Sequence, residues 1–379
     1  MKDHIKVYHQ SDVYFDQLIQ SIHQAKHSID IEIYKFMNDR LGNRIKQALL
    51  KAANKNVKIR ILMDGNGTAN WNHRSLKDMN HQYITTKIYH PFPWRLWQLK
   101  KSNIQINSLK GIFQLFLNIN NRNHRKNILI DGKHFFSGSN NFDVRHMCKK
   151  KGGQSWRDLG ITIRNLSHAK PIIDSFEKSW SYNKSKIKNQ FDRKQHYLNT
   201  SYLVHLSDDR HKRRYLYKRL LKTMKNAKHR IWITCPYFIP DKRLIRMLKY
   251  AANELVDVKI IVPQKSDVPL TTWMAKTLYS ELLKKNVKIY EYQPSMIHAK
   301  SILIDDECRI GTGNLDHRSL LHDLESDIIL TDKKQIDQID QQFHKDIDKS
   351  IQISLADARR SLFSSTLLKR LLWTVKYFI

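Results

Sequence analysis

The chain has 379 residues, 41% of them hydrophobic, and 67 Lys and Arg against 35 Asp and Glu leave a net charge of +32. That length exceeds one compact core and suits two, and that charge draws polyanions: nucleic acid, anionic lipid or a charged small substrate. Three scattered cysteines (Cys148, Cys235, Cys308) argue against a disulfide framework and a thiolate zinc site, and no run approaches the ~18 apolar residues of a membrane span.

The opening residues, MKDHIKVYHQSD, lack the apolar core of a secretion signal. A reducing compartment, and a soluble or membrane-surface protein of the cytoplasm, are the expectation. In chain order, the first clear unit is IDIEIYKFMND (Ile29–Asp39), an apolar strand. An amphipathic helix follows, ending near Ala52-Ala53-Asn54, and then the Ile-rich strand VKIRILMD. Next, YHPFPWRLWQLKKSN (Tyr89–Asn103) mixes Phe92, Trp94 and Trp97 with cations, and KGIFQLFLNI (Lys110–Ile119) adds apolar length. Aromatics among cations suit an anionic bilayer interface, a buried subdomain or lid being the other reading.

The strand HRKNILID (His124–Asp131) precedes a turn, GSNNFDVRH, that begins at Gly138. Asp158 then sits in SWRDLGI. A polar, basic stretch at Ser181–Thr200 marks the expected boundary between a first unit, 1–190, and a second, 191–379. The basic run Arg210–Arg230 reads as a helix with a solvated face over a buried Leu/Tyr stripe.

The second unit repeats the first. IWITCPYFIPD (Ile231–Asp241) leads into a helix ending in Ala-Ala-Asn and the strand VKIIVP. HAKSILID (His298–Asp305) precedes GTGNLDHRS from Gly311, and Glu325 sits in HDLESDI. The histidines are 298 − 124 = 174 apart and the glycines 311 − 138 = 173. Two linked blocks at nearly one offset are a duplication, with like elements expected to face each other across a pseudo-two-fold axis. The terminal SLFSSTLLKRLLWTVKYFI (361–379) has a basic amphipathic pattern: a membrane-surface helix, or one docked on its own domain.

On a strand, side chains two apart share a face. His124 and Lys126 therefore point together, as do His298 and Lys300. Asp131 and Asp305 lie an odd number of residues from the histidines. Although they complete the candidate catalytic set, they are expected to face away and brace the framework. Two His and two Lys suit a phosphate ester: one His attacks phosphorus, the other protonates the leaving alkoxide, and the lysines meet the phosphoryl charge. Ser139, Asn141, Thr312 and Asn314 in the two turns are candidate phosphate contacts. Asp158 and Glu325 are candidates for holding each His in one tautomer. This chemistry needs no divalent metal and no cofactor.

The duplicated HxKxxxxD with its Gly-[Ser/Thr]-x-Asn turn resembles the phospholipase D superfamily. NHRKNILIDG, WRD with Phe176 and Trp180, CPYFIPD, YEYQPSMIHAKSILIDD and GTGNLDHRSL…LES are most similar to bacterial cardiolipin synthases. The resemblance covers about Ile29–Trp180 and Ile231–Phe343. It implies two mixed-sheet α/β domains with one site at their pseudo-dyad. It also implies a phosphatidyl-histidine intermediate on His124, with His298 as acid/base, joining two phosphatidylglycerols with release of glycerol. The implied partners are anionic phospholipid and a membrane surface, without nucleic acid. A phospholipase D-type hydrolase and a nuclease of the same superfamily are the alternative readings. Thr312 departs from the usual Ser but keeps the hydroxyl.

Overall fold

Alternation of apolar and polar residues drives the first sheet. In Ser28–Ile33, Ile29, Ile31 and Ile33 are buried in the core beneath a helix layer, while Asp30 and Glu32 take the other face. The following helix, Arg40–Ala53, is capped by Asp39, whose carboxylate accepts the Gly42 N–H at 2.9 Å. Its buried Leu41, Ile45, Ala48, Leu49 and Ala52 recur at helical spacing and close the same core. The second half does the same. Asp241 caps Lys242–Asn253, and Leu244, Ile245, Leu248 and Ala251 face inward. Each capping Asp is the last residue of the repeated strand segment.

The computed structural model describes residues 4–68, 71, 78–102, 121–181, 203–361, 372 and 374. The expected boundary region lies almost wholly outside these residues, as do Lys110–Ile119 and most of 361–379.

The strands are β1 (His4–Tyr8), β2 (Ser28–Ile33), β3 (Lys58–Asp64), β4 (Ile84–Tyr89), β5 (Lys126–Ile130), β6 (His134–Gly138) and β7 (Gly160–Arg164) in the first sheet. Their order is β1-β7-β6-β5-β2-β3-β4. The second sheet has β8 (Val204–Leu206), β9 (Arg230–Thr234), β10 (Asp257–Pro263), β11 (Lys288–Tyr292), β12 (Ser301–Ile304), β13 (Glu307–Gly311), β14 (Ser326–Leu330) and β15 (Ser350–Gln352). Its order is β15-β11-β10-β9-β12-β13-β14-β8. Reversed, that is the first sheet with one strand added beyond β11. In both, three parallel strands (β2-β3-β4, β9-β10-β11) meet an antiparallel run that begins with the His-Lys strand. The chain is thus two duplicated mixed-sheet α/β units, as expected.

The motif aspartates are structural. Asp131 accepts the backbone N–H groups of Lys26, His27 and Ser28 at 2.9, 2.7 and 2.9 Å. Asp305 accepts those of Lys228, His229 and Arg230 at 2.9, 2.9 and 3.0 Å. Both sit at positive φ (51° and 48°) in the turn after the His-Lys strand, where the three bonds offset the local strain. Of the candidate catalytic set, these two tie the hairpin to the start of the central strand, the bracing place that strand parity leads one to expect. Partial burial pushes each carboxyl up, and the backbone N–H groups overcome it, holding both below the usual Asp value. A depressed pKa gives stability that is fully present above the unfolded value and is lost as pH falls through the lower, folded value. Asp131→Ala is expected to lower stability by about 2–3 kcal/mol. Turnover per folded molecule should stay near wild type, as read by urea unfolding and active-fraction-corrected rates.

Gly138, at φ +130°, and Gly311 are set by close approach. A Cβ would lie 2.2 Å from Leu159 O at the first and 2.5 Å from Ser326 O at the second. Each lets its strand end turn tightly into the segment that carries the site.

Candidate active site

The backbone on either side of the halves is exchanged. His124 donates its N–H to Leu324 O at 3.0 Å, and Leu324 returns one to Arg122 O at 2.9 Å. Correspondingly, His298 donates to Arg157 O at 2.8 Å, and Arg157 to Met296 O at 2.9 Å. Each segment leading to a His-Lys strand therefore forms a short parallel bridge with the carboxylate-bearing segment of the other half. Across the same seam, Asn127 Oδ1 accepts both Ser137 Oγ and Ser326 Oγ at 2.8 Å.

That exchange decides which carboxylate meets which histidine. His124 Nδ1 donates to Glu325 at 2.9 Å, and His298 Nδ1 donates to Asp158 at 2.7 Å. A carboxylate only accepts, so Nδ1 carries the proton and Nε2 is the unprotonated nitrogen in both rings. Each histidine is buried, and each is oriented by the opposite half. Sequence order places each carboxylate downstream of its own half's motif; the pairing is crossed.

The lysines point inward. Lys126 Nζ donates to His124 O at 2.6 Å and lies 5.3 Å from the Tyr34 ring centroid. Lys300 Nζ donates to His298 O at 2.7 Å and lies 3.1 Å from His298 Nε2. Tyr34 meets His124 edge-on at 4.7 Å, and Tyr237 stands 6.5 Å from His298. These tyrosines were missed by motif reading. The signal was there, since both occupy the Tyr of the repeated IYKF and PYFI segments.

Charge ties the two halves into one site. Burial, then Lys126 and Lys300, hold His124 well below the usual histidine range. Burial and Lys300 push His298 down to about 3. Lys126 is pushed down by burial and by Lys300, and burial lowers Lys300 to about 8. Two buried lysines, one of them held down by the charge of the other, form a site made for an anion. An arriving phosphate dianion screens both and raises the proton affinity of the histidines. Anion binding should therefore take up protons. Sulfate should bind more tightly at about pH 6 than at about pH 9, where Lys300 is largely neutral. Titration calorimetry in buffers of different ionisation enthalpy measures both effects.

The turn residues divide. Ser139 and Thr312 are fully buried. Ser139 Oγ donates to Asp158 Oδ1 at 2.7 Å and Thr312 Oγ1 donates to Glu325 Oε2. With the hydroxyl protons given to the carboxylates, they hold the groups that orient the histidines, and no hydroxyl proton is left for a phosphate in this arrangement. Asn141 and Asn314 are different. In each, the buried side-chain oxygen has no partner, so the same amide in both halves keeps one free acceptor, suited to a hydroxyl or another N–H or O–H donor of a ligand.

His146 was also missed. Its Nδ1 lies 2.5 Å from Asp158 Oδ2. His146, Asp158 and His298 are close enough to ligate one ion. Their Nδ1 and carboxylate atoms already pair with one another, so the donor set is that of a hydrogen-bonded relay.

The aromatic-basic stretch is split. Phe92 lies under the Arg122 guanidinium at 4.5 Å, two residues before His124, and Gln98 is buried on Gly65 O at 2.7 Å. Trp94 and Leu96 are 65% and 72% exposed. In the terminal segment, Leu372 is buried with Ile239 and Met274. Among the described residues no helix is long and apolar enough to cross a membrane.

Two histidines and two lysines from duplicated α/β halves, with crossed carboxylates, meet in one buried site. The sequence model of the family described as "Cardiolipin synthase, PLD-like domain" matches residues 18–180 and 220–347, and the chain belongs to that family. It is 31% identical over 360 residues to cardiolipin synthase 1 of Bacillus cereus, covering 90% of this chain and 66% of that protein. It is 29% identical over 386 residues to cardiolipin synthase of Clostridium perfringens, covering 96% and 74%. The chain thus spans about two thirds to three quarters of the length of these relatives. A phosphatidylserine synthase from Haemophilus influenzae shares the fold, with a TM-score of 0.69 at 13% identity over 98% of this chain and 92% of that one.

Proposed function

We propose that the chain is a phosphatidyltransferase that joins two phosphatidylglycerol molecules into cardiolipin and releases glycerol. The observation that carries this reading is the crossed arrangement, in which each buried imidazole has Nδ1 fixed by the other half and a lysine beside it. His124 Nε2 attacks phosphorus, and the P–O bond to the head glycerol breaks. The departing alkoxide takes the Nε2 proton that His298 acquires as the phosphate binds. A hydroxyl of the second phosphatidylglycerol then gives its proton to His298, its oxygen forms the new P–O bond, and the P–N bond breaks. Lys126 and Lys300 meet the phosphoryl oxygens in both steps, joined by the side-chain NH2 groups of Asn141 and Asn314 as donors.

The lipid substrates place the protein at an anionic membrane surface, on the cytoplasmic face in this reading. The net charge of +32 supports that placement. So do Trp94 and Leu96, exposed on a segment packed against Arg122. The test is purified protein with phosphatidylglycerol vesicles and mass analysis of products. Cardiolipin and glycerol are expected. Phosphatidate with glycerol would make it a hydrolase, and cleavage of DNA with inert lipid would make it a nuclease.

A further inference from the structure

We propose that His146 is a positioning residue for His298, acting through the second oxygen of Asp158. The inference rests on the transfer reading above for its kinetic consequence, but its geometry is independent. Asp158 Oδ1 receives His298 Nδ1 at 2.7 Å and Ser139 Oγ at 2.7 Å. Oδ2 receives His146 Nδ1 at 2.5 Å. His146 Nε2 in turn accepts the backbone N–H of Asn141 at 3.3 Å. With Nε2 accepting, the proton sits on Nδ1, and the ring is a fixed link rather than a spectator. Asn141, His146, Asp158 and His298 form one chain, from the turn with the free amide to an acid/base nitrogen.

The other half shows why a histidine stands here. At the repeat offset of 173, the counterpart of His146 is Ser319 (146 + 173), whose hydroxyl bonds Glu325. Asp is one methylene shorter than Glu. The half with the shorter carboxylate has the longer partner, and the half with the longer carboxylate has the shorter one. Reach is conserved while chemistry differs. The His146 side chain is fully buried, edge-on to Trp156 at 5.2 Å and 5.3 Å from the His298 ring. Such packing leaves it one orientation. The two carboxylates also respond differently: burial raises Asp158, and His146 and His298 more than reverse this, whereas burial leaves Glu325 raised. The site is symmetric in its reacting groups and asymmetric in what holds them.

The test compares wild type, His146→Ala and His146→Asn in the full chain. The Asn amide nitrogen lies as far along the side chain as His Nδ1 and can donate to the same oxygen; Ala cannot. Expected for His146→Ala is a kcat lower by roughly 10- to 100-fold with KM within about two-fold, and a shifted or broadened low-field proton resonance for His298 Nδ1–H. His146→Asn should recover most of kcat and restore the resonance. A wild-type kcat and unmoved resonance in His146→Ala would overturn the proposal. So would equal loss in Ala and Asn variants, which marks a packing role. If the wild type makes no cardiolipin, the transfer reading fails, and the His298 resonance alone still judges the link.

Discussion

Replacing either His124 or His298 by Asn is expected to lower cardiolipin formation by about 10⁴-fold or more, and replacing both should cost little beyond the larger single effect. The reason is that nucleophile and acid act on one phosphorus. Once either is gone, the other has no transition state to stabilise. Groups acting as a unit are strongly non-additive. Both rings are buried between Lys126, Lys300 and their crossed carboxylates, so Asn fills most of the same space and keeps a donor toward Glu325 or Asp158. Steady-state turnover of the three variants, with thermal melting to show that they fold, gives the answer. A double loss equal to the product of the single losses would mean two independent sites.

The second large effect crosses the chain. Glu325→Gln is expected to reduce turnover by roughly 10²- to 10⁴-fold, because an amide no longer stabilises the imidazolium form or enforces the tautomer. The damage should fall on His124, 201 residues away, and not on His298. Modification by diethylpyrocarbonate, followed residue by residue, reads this out. In Glu325→Gln the rate at His124 changes and that at His298 holds; Asp158→Asn does the reverse. Changes confined to each carboxylate's own half would reject the crossed pairing.

Much of this is legible in the sequence alone. The twin offsets of 174 and 173 gave the duplication, and strand parity put Asp131 and Asp305 away from the histidines, where the structure has them on backbone N–H groups. Parity is a local property, and so is helix capping by Asp39 and Asp241. What stayed hidden depends on the seam between halves. Which carboxylate serves which His follows from the short parallel bridges at Asn123–Leu324 and Arg157–Ile297. Those bridges pair segments far apart in sequence. Ser139 and Thr312 looked like phosphate ligands because a turn hydroxyl beside glycine is a generic anion donor, and only packing shows the protons committed elsewhere. His146 had no signal, since its counterpart is a serine and the repeat breaks at that position. The aromatic-basic stretch was ambiguous because it does two things: Phe92 supports Arg122, while Trp94 and Leu96 face outward.

The most direct measurement of the central claim is to trap the intermediate. Protein is mixed with phosphatidylglycerol labelled in its phosphatidyl part, denatured within the first turnover in alkaline detergent, where a P–N bond survives, and mapped by peptide mass analysis. The phosphatidyl group is expected on the peptide carrying His124, chased into cardiolipin when a second phosphatidylglycerol is supplied and missing from His124→Asn. Cardiolipin forming at full rate with no histidine labelled, or with the label on His298 alone, would contradict it.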